Sequence, residues 1–86
     1  MLRFRLSAFA HGVTDNQMQE VLANQWGMTK WFEIHDSDDG DSQDMVVGFD
    51  ADGALIEIGI TYVADDEIAF HADKATSYWI ERYNKR

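Results

Sequence analysis

Two histidines and a few cations in this 86-residue chain could together do acid–base chemistry. His11 stands just before Gly12, and His71 stands three residues before Lys74. An imidazole titrates near neutrality, so a pair can act as general base and general acid. Cutting RNA without a metal takes such a pair plus cations on the scissile phosphate. Lys74 and Arg82 could hold the phosphate, and Tyr83 could add a polar group. All five residues fall in or beside the basic segments of the chain. The same spacing admits a plainer arrangement, in which His71 pairs with a backbone group or a carboxylate and stabilises a sheet.

Other chemistries find little support. His35 abuts Asp36 and reads as a strand-end surface residue, and no close pairing such as HExxH joins the three histidines. The stretch 36–52 is rich in aspartate, but an EF-hand loop needs Gly at its sixth position and Glu at its twelfth. Aligning Gly40 to the sixth position puts His35 first and Val46 twelfth, and aligning Gly53 there puts Gly48 first. Both alignments fail, which leaves a solvated acidic loop or an acidic docking surface for a basic partner. The chain has no cysteine, so disulfides and thiolate metal sites are excluded. It has no glycine-rich phosphate loop, nucleophile elbow or dinucleotide fingerprint. No cofactor and no metal are expected. Trp26, Trp31, Trp79 and the tyrosines could stack bases, although core and rim packing is the commoner use of such residues.

The net charge of −9 is sorted along the chain. Residues 31–73 hold 13 of the 16 acids and no Lys or Arg, whereas the two ends hold all 7 basic residues. If the ends pack together, the fold has a basic pole and an acidic pole. Apolar runs fall far short of the roughly 20 residues that span a bilayer. No signal peptide is visible, so a cytoplasmic protein is expected.

Several elements must position these groups. Residues 2–6 alternate apolar and charged, as a half-buried strand does, and Ser7–His11 either continues that strand or begins a helical turn. Thr14-Asp15-Asn16-Gln17 fits a capping box with Val13 as its staple. The stripe Met18, Val21, Leu22 and Trp26 makes the helix that follows amphipathic, and Gly27 suits its end. Strands are expected over 28–35, 45–49, 54–63 and 68–72, with a turn at Asp50–Gly53. Ile56, Ile58, Ile60 and Tyr62 should line the core face, joined by Ile68 and Phe70, with His71 on the opposite face. Glu57 points away from the isoleucines, toward solvent or beneath a partner element. Residues 74–86 read as a closing helix with Ala75, Tyr78, Trp79, Arg82 and Tyr83 on one face, capped by Asp73 or Thr76. This is a single α+β domain over residues 1–86. An antiparallel sheet of four to five strands carries one helix from the N-terminal half and one at the C-terminus.

The stretch His11-Gly12-Val13-Thr14, with its amphipathic helix, resembles the opening of the BrnT-like toxins, small RelE-fold ribonucleases of bacterial toxin–antitoxin pairs. The run Val46 to Ile58 resembles their glycine-turn hairpin. Phe70-His71-Ala72, Lys74-Ala75 and Glu81-Arg82-Tyr83 resemble their final strand and helix. The resemblance covers residues about 11–26 and 45–84. It implies a RelE-like fold, mRNA as substrate and a cognate antitoxin, often DNA-binding, as partner. By position it points to His11, His71, Lys74 and Arg82. Where the family carries an arginine after the last strand's alanine, this chain has Asp73. A working nuclease would need the chain ends side by side, with both imidazoles in one cleft and the carboxylates pointing elsewhere. The alternative is a non-catalytic interaction module that binds a basic protein through an acidic face. A weaker third reading is a structural or regulatory subunit.

Overall fold

The computed structural model describes residues 2–24, 28–34 and 42–85. Five strands, β1 (Leu2–Phe4), β2 (Lys30–Ile34), β3 (Gln43–Phe49), β4 (Leu55–Val63) and β5 (Asp66–Lys74), form one sheet in the order β1-β5-β4-β3-β2. Two helices, α1 (Asp15–Ala23) and α2 (Ser77–Lys85), complete an α+β fold. β2 to β5 run as an antiparallel meander. β1 pairs in parallel with β5, so the sheet is mixed. That pairing sets the first strand beside the strand that leads into α2, while the end of α2 lies at the other edge, on β2. The ambiguous stretch after β1 forms a 3-10 helix, Leu6–Phe9, rather than more strand.

The helices lie on opposite faces of the sheet. Met18 and Val21 of α1 pack on Val46, Ile56, Ile58, Ile60, Ala69 and Ala72. Tyr83 and Trp79 of α2 pack with Phe32, Met45, Val47 and Phe49. The central strands β3 and β4 are therefore buried on both sides, which explains their nearly unbroken apolar runs. The capping box of α1 forms as expected: the Thr14 hydroxyl accepts the Gln17 N–H and the Gln17 side chain accepts the Thr14 N–H. Trp26 and Gly27, expected to end that helix, lie outside the described residues. So does His35.

Strand β5 departs from strict alternation. Its register against β4 slips between Gly59, which pairs with His71, and Ile60, which pairs with Ala69. Phe70 is left unpaired in a β-bulge. The expectation that Ile68 and Phe70 join the isoleucine face is corrected: Ala69 and Ala72 occupy it, while the register puts Ile68 and His71 on the other side. The Phe70 ring lies over Gly59, where a Cβ would come within 2.8 Å of its Cζ. His71 is opposite the isoleucines, as the pattern suggested.

The turn between β3 and β4 is built by Asp50. Its Oδ1 accepts the N–H groups of Asp52 and Ala54, its Oδ2 accepts the Gln17 amide, and Gly53 takes a positive φ. The Ala54 N–H above all, then the Gln17 amide, hold the Asp50 carboxyl below its ordinary range, against the opposing effect of burial. A depressed folded-state value means that the unfolded chain takes up the proton first as the pH falls. The stabilisation is whole above the ordinary value of 3.8 and is lost as the pH drops through the lower folded value. Asp50→Asn should flatten this acid limb, read as urea-unfolding free energy between about pH 5 and about pH 2. Among the described residues, no helix is long and apolar enough to cross a membrane.

Candidate acid–base site

Glu57 sits in the middle of β4, on the side away from the isoleucines, and is only 3% exposed. A buried carboxylate must be hydrogen-bonded or it destabilises the fold. Its Oε1 accepts the Thr76 N–H at 2.7 Å, just ahead of α2, and its Oε2 lies 2.8 Å from His71 Nε2. Thr76 in turn accepts the Ile80 N–H through its carbonyl, so it starts the helix. Asp73, the other cap considered, remains within β5. With an ionised Glu57 the neutral His71 ring carries its proton on Nε2, and Nδ1 is then the basic nitrogen.

The second imidazole arrives from the far end of the chain. The Arg5 N–H donates to the Ala69 carbonyl and the Ser7 hydroxyl to the Phe70 carbonyl, which ties the 3-10 segment to the bulged strand. Gly12, at φ +82°, then redirects the backbone toward α1. His11 is thereby set against His71, with ring centroids 5.6 Å apart in an edge-on contact. His11 Nδ1 is 3.8 Å from Asp73 Oδ2, too far for a hydrogen bond. Both imidazoles are partly open to solvent, with side-chain exposures of 48% for His11 and 32% for His71.

Folding thus joins the two histidines across 60 residues of sequence, but with carboxylates rather than cations. Lys74 pairs with Ile56, so its side chain leaves the sheet on the face opposite Glu57. Arg82 lies over the Phe32 ring at 5.5 Å, on β2. Since β4 and β3 separate β5 from β2, that is about 14 Å across the sheet from His71. Tyr83 is a core residue: its hydroxyl donates to the Met28 carbonyl and Lys30 Nζ lies over its ring. The site therefore consists of His11, His71, Glu57 and Asp73. Of the four residues expected by sequence, only the two histidines come together.

Among the described residues, no three His, Asp or Glu side chains converge on a point that could hold a metal ion. The arrangement can move protons, because a buried carboxylate orients one imidazole and a second imidazole touches it. It is poorly suited to a phosphodiester. A phosphate about 5 Å from a carboxylate is repelled by roughly 3 kcal/mol at an effective dielectric constant near 20, and the guanidinium meant to offset this lies elsewhere. Compared with known proteins, the chain matches no family model, no curated protein and no solved structure.

Proposed function

We propose that this chain is a protein-interaction module of the cytoplasm that docks a basic protein on the acidic end of its sheet. One observation carries this reading. Glu33 pairs with Asp44, Asp44 with Ile60, and Glu67 with Tyr62, so the three acids share the α1 side of the sheet. The half-buried Tyr62 hydroxyl lies among them and donates to Asp44. Burial, then Asp44, push the Tyr62 phenol up, so it remains a donor. Trp31 is exposed on the same face, since it pairs with Val46. The segment 35–41, which joins β2 to β3 and lies outside the described residues, adds four aspartates in sequence. Exposed ion pairs contribute only about 0.2–1 kcal/mol each. Affinity for a lysine-rich surface would accordingly come from several pairs at once and weaken with salt.

The test is a titration of the labelled chain with a blocked Lys/Arg-rich peptide, followed by NMR at low and physiological salt. Saturable shifts should appear on β2, β3 and β5 around Glu33 and Glu67. The double variant Glu33→Lys, Glu67→Lys should bind about tenfold more weakly, the loss of two or three rim pairs. Equal affinity in the double variant would remove the proposal.

A second reading, a toxin-family ribonuclease neutralised by an antitoxin, is favoured by the His11–His71 contact. It requires that induced expression arrest bacterial growth and that His71→Ala relieve the arrest. Normal growth under wild-type expression would eliminate it.

A further inference from the structure

In a chain with 16 acids and 7 basic residues, an arginine without a carboxylate is unexpected. Arg3 is bridged to Asp66, Lys85 is bridged to Glu81, and Lys30 donates to the Tyr83 carbonyl. Arg82 has no carboxylate partner among the described residues. Its guanidinium instead lies over three rings, those of Phe32, Tyr78 and Trp79, at 5.5, 5.7 and 5.9 Å. Tyr78 and Trp79 are themselves packed edge to face at 4.9 Å. Stacking on aromatic faces leaves the five N–H donors of a guanidinium at its edge, directed outward in the plane of the group. The rings also restrict the side chain beforehand, so less entropy is lost when it binds.

We propose that the α2 face around Arg82 docks an acidic protein segment, one of whose carboxylates is taken bidentately by the Arg82 guanidinium. Tyr78, one helical turn before Arg82 and on the same face, is 59% exposed. Tyrosine, tryptophan and arginine around an apolar contact are the residues that concentrate binding energy in protein interfaces. Charge complementarity selects a carboxylate-bearing occupant. A nucleic acid needs a row of cations to track its phosphates, and here the flanking Lys85 and Lys30 are already engaged within the chain. The acidic residues Glu33, Asp44 and Glu67 lie on the α1 side of the sheet, and Arg82 packs on Phe32 on the α2 side. The two faces thus take partners of opposite charge, and this inference stands whether or not the acidic face binds anything.

The full labelled chain is titrated with a blocked peptide of alternating leucine and glutamate, in parallel with oligouridylate and with a dilution series of the chain alone. The peptide should give saturable shifts confined to α2 and Phe32. Arg82→Glu should weaken binding about tenfold or more, and Arg82→Lys by a smaller factor, because an ammonium keeps the charge but loses the fork. A matching unfolding midpoint for Arg82→Lys shows that the change lies in binding. The proposal is overturned if the peptide gives no saturable shift on α2, or if Arg82→Glu binds it equally well. It is also overturned if oligouridylate binds more tightly at these residues, or if dilution of the chain alone moves the same signals, which would assign the face to a second copy.

Discussion

Glu57→Ala lowers the unfolding free energy by about 2–4 kcal/mol, whereas Glu57→Gln costs less than about half of that. Alanine strands the Thr76 N–H and the His71 Nε2 together, beneath the start of α2, and leaves a void where the side chain was. An unsatisfied buried polar group costs about 1–3 kcal/mol, and the cavity adds to it. Glutamine keeps an oxygen for Thr76, but its amide nitrogen can only donate, so His71 Nε2 must become the acceptor. The ring proton then moves to Nδ1. Urea unfolding measures the first effect, and nitrogen chemical shifts of the His71 ring measure the second. An unchanged tautomer in Glu57→Gln would mean that Glu57 does not set the protonation of the imidazole.

The core gives the other large effect. Ile58→Ala should cost about 3–4 kcal/mol, and Ile58→Val about 1 kcal/mol. Ile58 is fully buried, between Val46 across the β3 pairing and Ala72 across the β5 pairing, under Met18 and Val21 of α1. Both strands that flank it are themselves hydrogen-bonded on their far edges, so the cavity cannot collapse easily. Ile80→Ala, on the exposed face of α2, should stay within about 0.5 kcal/mol. The comparison uses urea midpoints with the slope unchanged. A loss below about 1 kcal/mol for Ile58→Ala would show that the sheet repacks around the gap.

Most elements were legible because local physics decides them. Thr14 to Gln17 announces α1 through its capping chemistry, and the run of isoleucines announces a central strand. The position of α2 was legible from its aromatic spacing, although it begins after Thr76 and β5 runs on to Lys74. The parallel placement of β1 was not legible, because nothing in Leu2–Phe4 says which edge it joins. The site was half legible. Histidines 11 and 71 stand out by type, and their meeting depends only on β1 and the 3-10 segment lying along β5. The carboxylates did not stand out, because Glu57 reads as one more alternating polar residue until the register of β4 on β5 is known. Arg82 was expected beside the histidines because it lies in a basic segment at a chain end and because the resemblance points to its position. The direction of α2 across the sheet carries it to β2 instead.

The bulge at Phe70 has a consequence for how this site withstands the loss of a residue. Before Phe70 the odd-numbered residues of β5 face the isoleucines, and after it the even-numbered ones do. Deleting that single codon would leave an ordinary ladder in which His71 still pairs with Gly59 and Ala72 with Ile58, so the imidazole would keep to the side of Glu57. A one-residue gap at this place therefore spares the cluster: His71, Glu57 and Asp73 would stay on one side of the sheet, and only the ring over Gly59 would go.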